Sequence, residues 1–179
     1  MRKIDPQLCY RLLYPTIPVI VTSKFRNIVT AMPAVSYMMV SNNPAIIGLC
    51  IQPTHTTYEI IKKAKKFAFT WISKEDRAII DRLVMIHGYE EGNKLRSADI
   101  HYFLSRRMHL PIPNNSVAYI ETKLIKRLEV GDHVLLLSKV ITCFAIEDFE
   151  NYWKFKKYKP LLYIGMQNGA RFYDQVKVR

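Results

Sequence analysis

Apolar positions along the chain fall into short runs of strand length, interrupted twice by helical spacing. Pro18-Val19-Ile20-Val21-Thr22-Ser23 is β-branched, and Lys24-Phe25-Arg26-Asn27 follows it, so the pattern predicts a strand ending in a turn. Ile28 to Met32 resumes as a second, half-polar strand. After the breaker Asn42-Asn43-Pro44, the run Ala45-Ile46-Ile47-Gly48-Leu49-Cys50-Ile51 is continuously apolar, which predicts a strand buried on both faces. Helical spacing then takes over. Ile60, Ile61, Ala64 and Phe67 recur on one face, while Lys62, Lys63, Lys65 and Lys66 take the other. Phe67 to Ile72 returns as an aromatic-rich strand, and from Asp76 the positions Ile79, Ile80, Leu83 and Val84 mark a second helix.

Gly88 to Pro113 reads as a long polar connection with a short helical piece near Ala98 to Arg107. A connection of that length in a compact domain is a functional or covering segment, or an oligomer contact. The last third is β. Val117 to Ile125 alternates in part, Lys126 to Asp132 makes a turn, His133 to Ile146 is a long strand, and Leu161 to Ile164 closes the series before a Gly169 turn and a basic tail. Six or seven strands with two helices inserted early predict a mainly β, α+β fold, an antiparallel barrel and not a parallel sheet.

The junction between the third strand and the first helix holds the candidate chemistry. Thr54, His55, Thr56 and Thr57 offer hydroxyls and an imidazole where the first backbone N–H groups of a helix lack partners. Unpaired N–H groups and the helix dipole together favour an anion there, phosphate above all.

Composition narrows the classes. At 179 residues the chain suits one domain, 1–179, and 23% charged against 49% hydrophobic residues is globular. No apolar run approaches the ~20 residues of a membrane span. The opening MRKIDPQLCYRLLYP lacks the features of a secretory signal, and Cys9, Cys50 and Cys143 show neither C-x-x-C spacing nor an even count. A reducing, cytoplasmic setting is expected, with Cys50 and Cys143 as small buried hydrophobes inside apolar runs. The net charge of +12 points to anionic partners, whether a nucleotide cofactor, a dinucleotide or a nucleic acid. Six glycines supply neither G-x-G-x-x-G nor a P-loop, and no G-x-S-x-G occurs. The five histidines lack ligand spacing, so no metal site is expected.

Several short motifs occur in a fixed order: Asn27-Ile28-Val29-Thr30-Ala31, Asn43-Pro44-Ala45, His55-Thr56-Thr57-Tyr58-Glu59-Ile60, Asn93-Lys94, Gly131-Asp132-His133 and Pro160-Leu161-Leu162-Tyr163. In that order, over about residues 15 to 165, the chain resembles the flavin reductase-like, FMN-binding split-barrel proteins. The resemblance implies an antiparallel FMN-binding split β-barrel. It further implies that Asn27, Thr30, Ala31 and Met32 lie along the isoalloxazine ring, that His55, Thr56 and Thr57 hold the FMN phosphate, and that Lys94 adds charge there. His133 is implied beside the ring as the catalytic candidate, where nicotinamide or acceptor docks, with FMN at a homodimer interface. His55 stands where Arg or Lys is common, which makes that contact pH-dependent, because an unperturbed imidazole titrates at about 6.5. The segment from Asn27 to Pro44 is slightly longer than the common pattern, and Met32-Pro33 or Ser36-Tyr37 replaces the usual Ser-Trp pair.

The expected function is therefore an FMN-dependent oxidoreductase passing electrons from NAD(P)H to an acceptor. A close variant is an FMN electron carrier that does not use NAD(P)H. From another class, a basic β-barrel could bind RNA or single-stranded DNA through lysines and the aromatics of Tyr152 to Lys159. That reading leaves the ordered motifs unexplained, so nucleic acid is not the expected partner.

Overall fold

The computed structural model describes residues 3–86 and 92–175. Its elements run β1 (Val19–Phe25), β2 (Ile28–Ala34), β3 (Tyr37–Asn42), β4 (Ala45–Ile51), α1 (Thr56–Ala64), β5 (Lys66–Ile72), α2 (Arg77–Met85), α3 (Lys94–Ser97), β6 (Tyr102–Leu104), β7 (Pro111–Pro113), β8 (Ser116–Val130), β9 (His133–Ala145), β10 (Leu161–Gln167) and β11 (Ala170–Gln175). Seven strands form one antiparallel sheet in the order β2-β1-β5-β8-β9-β4-β3, and β10-β11 and β6-β7 are separate two-stranded ladders. The fold is the expected antiparallel split barrel with a few inserted helices.

Strand alternation explains why the central runs read as continuously apolar. Val19 and Val21 of β1, Leu49 and Ile51 of β4, Phe67 and Phe69 of β5 and Leu136 of β9 share one core with Tyr58 and Ile61 of α1. The neighbouring positions face the other way. Ile20 of β1, Val29 and Ala31 of β2 and Ile72 of β5 pack under Ile79, Ile80 and Leu83 of α2 and Leu95 of α3. A strand covered on both faces needs apolar residues at successive positions. Lys65, in the left-handed region at φ 56°, ends α1 by donating its N–H to the Ile61 carbonyl at 2.8 Å, so Phe67 belongs to β5 and not to the helix.

Four details differ from the sequence pattern. The strand β3 replaces an expected loop. It is an edge strand whose Met38, Met39 and Val40 are all exposed, so no half-buried alternation marked it. β8 continues to Val130, through residues expected to turn, because Lys126 to Val130 pair with His133 to Leu137 of β9 while their own side chains stay exposed. The actual turn is Gly131-Asp132, and Gly131 at φ +60° fits the first central position of a two-residue hairpin turn. In the long connection the helix is Lys94–Ser97, capped by Asn93 Oδ1 accepting from Arg96 N at 3.2 Å, and 102–104 is strand. That connection is a covering layer: α3 docks Leu95, and Ile112 of β7 packs on Ala68. Residues 88–91 of it, and the tail from 176, lie outside the described residues. Finally, Cys50 and Cys143 are exposed, since in each strand the alternation turns the thiol away from the core.

A polar clamp ties the chain before β10 to the start of α2. The Ser73 hydroxyl donates to Glu75 Oε2 at 2.5 Å and accepts the Lys159 N–H at 3.0 Å, and Lys159 Nζ pairs with Glu75 Oε1 at 3.1 Å. The Ser73 hydroxyl foremost, against a partial burial penalty and with help from backbone and Lys159, holds the Glu75 carboxyl at about 2. A depressed carboxyl pKa stabilises the fold above the unfolded value of 4.5 and loses that contribution as pH falls towards 2. Thermal midpoints measured from pH 5 to pH 2 should therefore fall more steeply for the native chain than for Glu75→Gln. The gap should be small, because the pair is half exposed and screened.

Candidate functional site

Antiparallel pairing of β4 with β9 places Ile51 opposite Val134, so the end of β4 and the start of β9 are neighbours. The chain leaves β4 through a tight turn in which the His55 N–H donates to the Gln52 carbonyl at 3.1 Å, and α1 begins there. On the other side, the Val29 N–H donates to the Gly92 carbonyl at 2.8 Å, which draws α3 alongside β2. These connections enclose a cavity of about 290 Å³. Its walls are Met32 to Ser36 from the end of β2, Cys50 to Gln52, His55, Leu83 and Val84 of α2, Lys94, His133, and Arg171 from β11.

Among the described residues the walls carry Lys94, Arg171 and two imidazoles, and no carboxylate. Burial pushes the Lys94 ammonium pKa down, the cost of holding a charge without a nearby counter-charge, and Lys94 makes no ion pair among the described residues. His55 occupies the N-cap of α1 with extended backbone, and its own side chain makes no capping hydrogen bond to the first turn. The N–H groups of that turn add positive potential beside the imidazole. His133 Nδ1 lies 2.8 Å from Asp132 Oδ1, and this hydrogen bond, with the His133 charge, holds the Asp132 carboxyl below its ordinary range. If Nδ1 carries the proton and donates to Asp132, Nε2 is the acceptor, an arrangement able to relay a proton.

A second cavity of about 550 Å³ adjoins the first and shares Val35, Ser36 and Cys50 with it. Tyr10, Leu13, Tyr14, Tyr37 and Met38 make it aromatic and apolar. Together the two form a cleft with one cationic end and one flat, apolar end. An anionic phosphate on a planar ring system matches that donor set.

Four of the expected residues meet in this cleft: Met32, His55, Lys94 and His133. Thr30 and Thr57 do not face it. Both are buried, and their hydroxyls bond each other at 2.7 Å, fastening the first turn of α1 to β2. Ala31 is fully buried under α2, and Thr56 is half-buried at the helix start without forming a wall. Asn27 is exposed in the β1–β2 turn, separated from Met32 by roughly 16 Å of extended chain. Residues 28–34 form a regular strand, so the segment offered to the cleft is Met32 to Ser36, downstream of the expected 27–32. Arg171, Gln52, Ala34 and Val35 were absent from the sequence reading, which offered Pro33 and Ser36 only as replacements for the usual Ser-Trp pair and Cys50 only as a buried hydrophobe. Arg171 lay in what read as a tail, where only the Gly169 turn hints that the chain folds back.

The family model for the flavin reductase like domain matches residues 10–167. An uncharacterized protein of Pyrococcus abyssi is 30% identical over 169 residues, covering 93% of this chain and 96% of that protein. One from Aeropyrum pernix is 29% identical over 169 residues, 92% of this chain, which spans only 63% of that relative's length. A ferric-chelate reductase (NAD(P)H) of Archaeoglobus fulgidus is 22% identical over 149 residues, 82% of this chain and 85% of that protein. Among solved structures, an FMN-binding protein from Thermus thermophilus superposes with TM-score 0.81 at 24% identity, covering 98% of this chain and 94% of its own. Flavoredoxin from Methanosarcina acetivorans gives TM-score 0.83 at 17% identity, over 100% and 92%. Likeness at these identities shows the fold.

Thr57→Val should leave the Thr30 hydroxyl buried without a partner and cost about 1–3 kcal/mol in urea unfolding. The double variant Thr30→Val with Thr57→Val should recover much of that loss.

Proposed function

The chain belongs to the flavin reductase like family, and we propose that it is an FMN-binding oxidoreductase that passes electrons from NAD(P)H to an acceptor. The observation that carries this reading is the convergence of His55, Lys94, His133 and Arg171, distant in sequence, on one cavity that has no carboxylate among its described wall residues and opens into an aromatic one. In this reading Lys94, His55 and the start of α1 hold the phosphate. The strip Met32 to Ser36 lies along the ring and offers it backbone hydrogen bonds, and the Tyr10–Tyr14–Tyr37 end admits the second reactant. Bound flavin supplies the redox chemistry, accepting hydride and releasing electrons. The protein has only to orient the ring, offset the phosphate charge and shed water from the apolar end. His133, oriented by Asp132, sits at the rim of the cleft, where it can hold or release a proton as the two reactants alternate.

The relative named as a ferric-chelate reductase (NAD(P)H) supports a metal chelate as one acceptor class. A second copy of the chain is proposed to cover the exposed Met38, Met39 and Val40 of the β3 edge, completing a homodimer with the cleft at its interface. Three free thiols suit a reducing compartment, for which we propose the cytoplasm. No helix among the described residues is long and apolar enough to cross a membrane.

The visible spectrum of the purified protein, taken after adding excess flavin and desalting, tests the reading. Retained flavin bands that bleach anaerobically with NADH or NADPH are expected, and comparing FMN with FAD identifies the preferred flavin. Bands that persist with both nucleotides would favour the electron-carrier variant. Neither retention nor turnover of free flavin would overturn the proposal.

Two variants locate the parts. Lys94→Met should weaken FMN binding about tenfold or more while leaving riboflavin, which lacks the phosphate, nearly unchanged. His133→Ala should slow NAD(P)H oxidation more than it weakens FMN binding. Equal loss of both would count against its place at the reacting end.

A further inference from the structure

Four adjacent strands of the main sheet bring lysines to one level. Lys66 of β5 lies opposite Lys123 of β8, and Lys123 lies opposite Lys139 of β9. β1 runs against β5 with Ile20, Val21 and Thr22 opposite Thr70, Phe69 and Ala68, and two residues further along that register Lys24 reaches the level of Lys66. At a strand spacing of about 4.8 Å, the row Lys24, Lys66, Lys123, Lys139 is roughly 14 Å long. Directly opposite residues share a face, so like charges stand side by side, which costs a sheet free energy. None of the four makes an ion pair among the described residues. Lys66 Nζ donates to the Met108 carbonyl at 2.7 Å. Glu121, two residues before Lys123 and on the same face of β8, is fully buried, and its Oε1 accepts the Ser105 hydroxyl and the Met108 N–H. One covered carboxylate is thus set against four lysines.

At its β1 end the row meets a cavity of about 280 Å³, whose walls include Lys24, Arg26, Lys63, Lys66 and His109 and, among the described residues, no carboxylate. The carbonyl end of α1 accounts for Lys63, because helix C-termini favour cations. It does not account for the others, which come from the β1–β2 turn, the start of β5 and the turn before β7. Arg26 at φ 54° and His109 at φ 53° are left-handed, a conformation glycine takes at lower cost, yet both positions carry side chains able to bond an anion. The Arg26 guanidinium lies over the Phe25 ring, 5.4 Å from its centre, which favours a planar, bidentate presentation. This cavity shares no wall residue with the flavin cleft. The nine residues of α1, ~13 Å long, separate it from His55 at the other end of that helix. The aromatic cavity of about 380 Å³, walled by Trp71, Phe149, Trp153, Phe155 and Tyr158 among others, has no charged wall residue among those described, so the cations are collected and not spread evenly.

We propose that this end of the barrel binds a chain of linked phosphates, such as a nucleoside triphosphate or an inorganic polyphosphate carries. The cavity receives one phosphate, and the lysine row offsets the charge of those linked to it. A bound polyanion also relieves the repulsion along the row, which the protein alone leaves uncompensated. Phe25, the one ring among the described walls, is already covered by Arg26, so the walls offer no free face for bases to stack on, which favours a phosphate chain over a nucleic-acid strand. The site does not depend on the flavin reading.

Titration calorimetry of the native chain with sodium tripolyphosphate, in about 0.1 M salt and without divalent cations, should show saturable one-to-one binding. Lys24→Gln combined with Lys123→Gln should weaken it about tenfold or more, the worth of lost charge-assisted contacts. The same pair should raise the thermal midpoint of the ligand-free chain by about 1–3 °C, because like charges are parted. Lys3→Gln combined with Lys156→Gln removes the same charge from exposed positions outside the row and the cavity, and should change neither quantity. Lys94→Met, in the flavin cleft, should leave tripolyphosphate binding unchanged. Equal affinity for ATP would assign recognition to the phosphate chain alone, and tighter binding of ATP would assign a nucleoside triphosphate; either supports the proposal. It is overturned by the absence of saturable binding, by a midpoint that does not rise in the Lys24 and Lys123 variant, or by equal weakening in the Lys3 and Lys156 control, which would leave only net charge. Weakening in Lys94→Met would place the anion in the cleft and overturn it too. So would single-stranded DNA that binds more tightly than tripolyphosphate and tightens with strand length, which would assign the surface to nucleic acid.

Discussion

The pairing of β4 with β9 is the constraint on which the cleft depends. Along this ladder Leu49 lies opposite Leu136 and Ile51 opposite Val134, and all four side chains enter the same core. A slip of one residue would turn each of them to the other face, so burial fixes the register. Side-chain hydrogen bonds pin the sheet further: the Ser138 hydroxyl donates to the Ile47 carbonyl at 3.0 Å, and the Thr122 hydroxyl to the Phe67 carbonyl at 2.9 Å. With the register fixed, His133 must emerge beside the end of β4, and the turn out of β4 must deliver His55 to the same place.

The electrostatics of the cleft follow from what its neighbours omit. A chain of net charge +12 already attracts anions, and the cavity concentrates that tendency by collecting Lys94 and Arg171 without a carboxylate among its described wall residues. Lys94 bears a desolvation penalty there that a bound anion would offset. The carboxylate nearest His133 is Asp132, which is exposed and committed to the imidazole, so it orients that ring and does not repel a ligand from the cavity.

One sheet thus supports two dissimilar concavities. Tyr37 stands between the apolar end of the cleft and the aromatic cavity. Its hydroxyl donates to the Ile17 carbonyl at 2.9 Å, and its ring meets Trp71 edge-on at 6.1 Å. Ile17 borders both spaces. On the cleft side, loops bring charge and open backbone. On the other, the loop that winds around Asp148, which accepts the N–H groups of Lys156 and Tyr158, brings the rings of Phe149, Trp153, Phe155 and Tyr158.

The sequence by itself determined the elements that bury apolar residues. The runs at Val19, Ala45 and Phe67, the helix after Thr57 and the strand from His133 were legible because strand and helix periods leave different apolar patterns. The order of short motifs pointed to a flavin-binding split barrel, and the family match and structural likeness bear out family and fold. The sequence was silent where no face is buried: the edge strand β3 and the solvated arm of β8 carry no pattern to read. Which side chains meet was decided only by the tertiary structure. Thr30 and Thr57 looked like ligand hydroxyls, yet the packing of α1 on β2 spends them on each other. Asn27 lies in the turn before β2 while Met32 lies well along that strand, and Arg171 reaches the cleft only because β11 folds back on β10. Contacts of this kind depend on which face and which end of an element a residue occupies, and spacing along a chain fixes the first only where burial is one-sided and the second not at all.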